Sequence, residues 1–270
     1  MNRFTATIIS YIPLGRKSPP DLRQGRTLTG YGRVNCWASG RKKDLRRDLI
    51  ECAVSGVSCY HIELAGWSRY SIFTDANALN RTKERYEWIV KRCRALGLWL
   101  FVSVVNDNMG KGKYGDTGPT LEKAWGTAIE LLNLVHKFGK KNVIVQPVAE
   151  TNTPSGSRFE NECKAKLAGW TLVYNGSGGQ PKGTNGMAFA AYHASSIDKC
   201  KSINGGFINS SDHGLIIREL ASDGSLDGPG DPAKLKRLVS ISKSVGNPLV
   251  VYYAFKRQKH DRNAIRALKP

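Results

Sequence analysis

Residues Tyr86–Val105 read YEWIVKRCRALGLWLFVSVV and join two textures in one stretch. In the first half Tyr86, Ile89, Val90, Cys93 and Leu96 recur at helical spacing and make one apolar stripe. Gly97 follows, a residue free to take the left-handed conformation that ends a helix. The second half, Leu98–Val105, is apolar on both parities, as a strand covered on both faces must be. A helix leading straight into a doubly covered strand is the building unit of a parallel α/β sheet.

The two textures alternate outward from there. Strand-length runs stand at Val34–Ser39, Cys59–Ala65, Leu98–Val105, Asn142–Val148, Thr171–Asn175, Met187–His193, Gly206–Asp212 and Pro248–Phe255. Helical stripes run through Leu45, Leu49 and Cys52, and through Leu121, Ala124, Ala128, Leu131, Leu132 and Val135 to a stop near Gly139. Asp231-Pro232 is an N-cap followed by proline in the first helical position, opening Leu235, Leu238, Val239, Ser242 and Val245. Asp261 would cap a last short helix through Ile265 and Leu268.

Eight runs with mostly helical connections predict a single (β/α)8 TIM barrel over residues 34–270, with a short N-terminal extension, residues 1–33, packed on it. The competing open, doubly wound sheet usually carries a glycine-rich phosphate turn after its first strand. Here Ala38-Ser39-Gly40-Arg41-Lys42-Lys43 follows instead. Leu215–Leu220 (LIIREL) is also strand-like, but only His213 and Gly214 separate it from the Gly206–Asp212 run. A parallel crossover needs about a dozen residues, so the two cannot be neighbouring strands. The reading adopted makes Gly206–Asp212 the seventh strand and lets LIIREL start a helix.

Of the 270 residues, 40% are hydrophobic and 23% charged, enough for a real core and too apolar for wholesale disorder. Lys and Arg number 41 against 22 Asp and Glu, a net charge of +19 that suits an anionic partner. No apolar run approaches the roughly 20 residues of a membrane span, so no membrane partner is expected. Residues 1–15 read as a strand rather than a signal peptide, which leads to the expectation of a cytoplasmic protein or one released by lysis. The six cysteines, Cys36, Cys52, Cys59, Cys93, Cys163 and Cys200, form no CxxC pair and no zinc-spaced cluster, so buried thiols are expected. No cofactor and no metal are expected.

A parallel barrel gathers its functional groups at the carboxyl ends of its strands. The residues closing the runs are Ser39, Glu63, Asn106 with Asp107, Glu150, Asn175, His193, Asp212 with His213, and Tyr253 to Lys256. Nearly all are polar or ionisable. Glu150 ends NVIVQPVAE, where partial desolvation would raise its pKa toward that of a general acid. The plainer alternative is a glutamate attracted to the free amides of the next helix. His61 and Glu63 share a strand face and could hold a metal with Asp107, or simply hydrogen-bond in the barrel mouth; the second is preferred. Ser210-Ser211-Asp212-His213 sets serine, acid and histidine side by side, but a triad draws on separate segments and no GxSxG elbow exists.

With Glu150 closing the fourth run, His193 in AAYHAS after the sixth and Tyr252, Tyr253 and Phe255 in the last, the layout resembles a group of (β/α)8 glycoside hydrolases. They are the retaining clan that includes the family 5 cellulases and mannanases. The resemblance covers roughly Val34 to Lys256 and is one of layout. It departs from the family at Ala149, where asparagine precedes the acid, and at the last strand, where tryptophan is usual. It implies hydrolysis of a polysaccharide by paired carboxylates, with Glu150 as acid/base and His193 beside the sugar. The second carboxylate falls on Asp212 by strand count, or on Glu219 in LIIREL.

The substrate contacts expected at or near the strand ends are Trp37, Glu63, Trp67, Asn106, Asp107, Asn152, His193 and Tyr253, whereas Trp99 and Trp125 fall inside elements and read as core. Lys111–Lys113 and Lys256–Lys259 would rim the mouth and suit an anionic polysaccharide. The alternative from another class is a non-catalytic basic barrel that binds nucleic acid or an anionic glycan. Nucleic acid is the less favoured of the two, because no RNP, KH, zinc-finger or helix-turn-helix signature accompanies the charge.

Overall fold

The structure is a computed structural model that describes residues 28–33, 42–65, 72–73, 76–107, 119–149, 151, 153–174, 187–190, 216–217, 232–244, 249–254 and 262–269. Eight strands lie in it: β1 (Leu28–Arg33), β2 (Cys59–Ala65), β3 (Trp99–Asn106), β4 (Val143–Ala149), β5 (Thr171–Tyr174), β6 (Met187–Ala190), β7 (Ile216–Ile217) and β8 (Leu249–Ala254). Each pairs in parallel with the next, and β8 returns to β1, so the sheet is a closed barrel. The open-sheet alternative is thereby removed.

Helices α1 (Lys42–Val54), α2 (Ala76–Ala95), α3 (Trp125–Phe138), α4 (Pro154–Lys166), α5 (Pro232–Ser244) and α6 (Arg262–Ala267) follow β1, β2, β3, β4, β7 and β8. The connections after β5 and β6 lie outside the described residues. The stripes read from the sequence are the buried faces of these helices: Leu45, Leu49 and Cys52 on α1, Tyr86, Ile89, Val90 and Cys93 on α2, Leu131, Leu132 and Val135 on α3. They join Ile62, Leu64, Leu100, Val102, Val143 and Val145 in one apolar cluster between sheet and helices. The helix stops are concrete. Gly97 (φ 66°) lets Leu98 N–H reach Cys93 O at 2.9 Å and its own N–H reach Arg94 O at 3.2 Å, which satisfies the last carbonyls of α2. Gly56 (φ 76°) ends α1 in the same way, with Val57 N–H on Cys52 O at 3.0 Å.

Two expectations are corrected. The first strand is Leu28–Arg33, inside the stretch read as an extension, while the Val34–Ser39 run lies outside the described residues. LTGYGR has two glycines and no apolar run; what makes it a strand is pairing along its whole length with β8, from Leu28 opposite Leu249 to Arg33 opposite Ala254. The seventh strand is Ile216–Ile217, in LIIREL, while the Gly206–Asp212 run lies outside the described residues. Ile216 and Ile217 pair with Phe189 and Ala190 on one side and with Leu249 and Val250 on the other. β-branched Ile-Ile suits a strand better than a helix start.

Candidate active site

Because every strand runs the same way, the carboxyl ends of all of them open on one face of the barrel. The interior beneath that face is polar on one side. On β2 the residues Cys59, His61 and Glu63 alternate with Tyr60, Ile62 and Leu64 of the outer cluster. His61 is fully buried, stacks on Phe101 with ring centroids 4.5 Å apart, and sets Nε2 3.0 Å from Ser103 Oγ. Ser103 donates its single proton to Gln146 Oε1 at 2.6 Å. It can therefore only accept from His61, which fixes the hydrogen on Nε2. One hydrogen-bonded row thus ties β2, β3 and β4 together inside the barrel.

Closer to the carboxyl ends, Asn106 Nδ2 donates to Glu63 Oε1 at 3.4 Å, and both residues are at most 2% exposed. Asp107, just past β3, is 3% exposed and faces the start of α4. Its Oδ2 accepts the Thr153 N–H at 2.6 Å and its Oδ1 the Thr153 hydroxyl at 2.7 Å. Thr153 is the N-cap of α4, its Oγ1 accepting from Gly156 N–H at 3.2 Å. Thr151 donates to the buried Glu160 of α4. The loop from β4 to α4, which carries Glu150 and Asn152, is therefore flanked by anchored residues.

Of the residues expected at the site, Glu63 and Asn106 are brought together, and Asp107 is engaged with a helix cap. His61 and Asp107 are thus bonded to different partners, Ser103 and Thr153. Tyr253 lies on β8, opposite Gly32 of β1. Trp37, Trp67, Glu150, Asn152, His193, Asp212 and Glu219 lie outside the described residues. Trp99 is buried, and Trp125 packs edge-on against Phe159 with Arg158 4.2 Å above its ring, both in structural roles. Cys52, Cys59, Cys93 and Cys163 are buried and unbridged. Burial pushes the Cys59 thiol up to about 12 and raises the other three, so none is a ready nucleophile.

Sequence reasoning passed over Thr153, Gly156, Glu160, Ser103 and Gln146. Thr153-Pro154 carries the same cap-then-proline signature as Asp231-Pro232 and was findable. Gln146 was findable too, as an amide inside an otherwise apolar strand. Gly156 gives no local sign, since its reason is the carboxylate of a residue far away in the chain.

No protein-family profile matches this sequence, and no curated protein matches it. Solved structures do. The barrel is similar to a glycoside hydrolase family 5 enzyme from Prevotella bryantii, with 11% identity, 93% of this chain and 97% of that one covered, and a TM-score of 0.61. It is similar to Cel5A of Thermotoga maritima, solved with mannotriose, at 11% identity, covering 93% and 100%, with a TM-score of 0.60. A family 5 enzyme from Bacteroides vulgatus matches at 11% identity and a TM-score of 0.57; 83% of this chain is covered but only 58% of that longer one. The clan that the strand-end layout resembles is thus the one whose solved barrels this chain is similar to, and at such identities what the likeness shows is the fold.

Proposed function

We propose that this protein is a glycoside hydrolase on a complete (β/α)8 barrel, cleaving a polysaccharide with a pair of carboxylates at the carboxyl face. Glu150 protonates the leaving oxygen, and Glu219 attacks the anomeric carbon or activates water. The observation that carries this reading is the position of the seventh strand. With β7 at Ile216–Ile217, Glu219 follows the strand by two residues in the chain, as Glu150 directly follows β4, whereas Asp212 precedes β7. Glu219 is therefore preferred to Asp212. Trp37, Trp67, Asn152, His193 and Tyr253 are proposed to contact the sugar, with Glu63 and Asn106 beneath them.

The test is a panel of neutral and acidic polysaccharides with wild type, Glu150→Gln, Glu219→Gln and Asp212→Asn. Loss of at least about 100-fold in kcat for the two glutamine variants, with Asp212→Asn near wild type, is expected. Unchanged turnover in Glu150→Gln removes this mechanism.

One observation favours the alternative of a non-catalytic basic barrel. On α1, α5 and α6 the exposed charges are basic, among them Lys42, Lys43, Arg46, Lys236 and Arg237, while Asp44, Asp48 and Glu51 are buried. The same face would favour an acidic glycan as substrate. Salt-sensitive binding of a nucleic acid or anionic glycan, with no turnover across the panel, would favour the non-catalytic reading.

A further inference from the structure

Asp107 carries a buried charge to which the proposed reaction gives no part. Both of its oxygens accept from Thr153, one from the amide at 2.6 Å and one from the hydroxyl at 2.7 Å. The Thr153 hydroxyl spends its proton on Asp107 and accepts the Gly156 amide at 3.2 Å, so a single side chain links the end of β3 to the cap and first turn of α4. The fit leaves no slack: a Cβ on Gly156 would stand 2.4 Å from Asp107 Oδ2. The other side of the loop is also held. Asp107 N–H donates to Ala149 O at 3.2 Å, and Thr151 is tied to Glu160. Ala149, Thr151 and Thr153, alternate residues around Glu150 and Asn152, are thus all anchored. A buried carboxylate is a costly way to join a strand to a helix when an apolar contact would serve. What it adds is direction: two short charge-assisted bonds at the favourable end of a helix dipole.

We propose that Asp107 is a positioning residue which, through Thr153, fixes the direction in which the chain leaves β4, and hence the placement of the Glu150 carboxyl against the leaving oxygen. This rests on the reading of Glu150 as the general acid. Misplacing such a group costs rate in the transition state and leaves ground-state binding nearly intact.

The test uses the polysaccharide that wild type turns over, with Asp107→Asn, Thr153→Val, Thr153→Ser and the Asp107→Asn/Thr153→Val pair, each checked for a cooperative melt. Asp107→Asn and Thr153→Val should lower kcat by about 10- to 100-fold with KM within about twofold. The double variant should be no worse than the poorer single, and Thr153→Ser, which keeps the hydroxyl, should recover most of the rate. Wild-type kcat in both single variants, a loss confined to KM, effects that multiply in the double variant, or a serine variant as slow as the valine one would each overturn the proposal. Should Thr153→Val fail to fold, Asp107→Asn and Thr153→Ser still decide it. Full activity in Glu150→Gln would sink the underlying reading; an inactive Glu150→Gln beside a fully active Asp107→Asn would sink this inference alone.

Discussion

At the scale of single residues, the interior of the barrel is organised by hydrogen bonds that leave little freedom of choice. Ser103 stands between His61 and Gln146 and bonds both, so Ser103→Ala removes one hydrogen bond from each of two buried polar side chains. A loss of about 2 kcal/mol is expected, readable as a shift in the urea midpoint at unchanged slope. The buried thiols make a second case. At pH 8 the native protein should leave Cys52, Cys59, Cys93 and Cys163 unmodified by a thiol reagent, whereas all six cysteines react in denaturant. Labelling of Cys59 in the native state at the denatured rate would contradict the burial described here. Some of this was legible beforehand. His61 and Glu63 share a strand parity, and a glutamine amid valines signals an interior network. The partners were not legible, because Ser103, Gln146 and Thr153 are set by register between strands and by the aim of α4, quantities that no local pattern carries.

At the scale of elements, the helices could be read where they carry both a stripe and a stop. In α2 the apolar spacing, Gly97 and the following strand all agree, and the structure ends the helix there. Gly97→Ala should cost about 1–2 kcal/mol, since a Cβ at that φ meets the neighbouring carbonyl; a melting temperature equal to wild type would contradict the motif. The next stop is made from outside the helix. Arg94 Nη2 donates to Phe138 O at 2.6 Å and Gly139 O at 2.9 Å, and its Nε to Lys141 O at 3.0 Å, so α2 caps α3. Arg94→Met should keep the packed stem and lose about 2 kcal/mol. β1 is the element the patterns missed and β7 the one they offered but set aside, and for one reason. Each is a strand because its neighbours pair with it, β1 with glycines where apolar residues were sought and β7 with only two residues.

At the scale of the whole molecule, closure is achieved twice, once in the sheet where β8 meets β1 and once outside it. There Glu51 of α1 takes Arg262 Nε at 3.1 Å and Arg266 Nε at 2.6 Å from α6. Both arginines are exposed, so the pairs add modestly to stability and salt should weaken them. Alkaline pH probes the core more sharply. Burial raises Cys59 from 9.0 and Tyr174 from 10.0, each to about 12. Both groups ionise earlier in the unfolded chain, so their contribution is full below pH 9 and is lost as the pH rises toward 12. Cys59→Ala should flatten the fall in melting temperature over that window, and an unchanged slope would contradict it.

The alternation of buried strands and striped helices was enough to argue a parallel barrel and its carboxyl face; which acid stands after the seventh strand was not, because two short runs competed for one place. The most direct measurement of the central claim is the separation of the Glu150 and Glu219 carboxyl groups in a crystal structure of the protein. The account requires them to face one another across the barrel mouth at about 5–10 Å, the span over which paired carboxylates cleave a glycosidic bond. Side chains directed to different surfaces, or held well beyond that span, would contradict it.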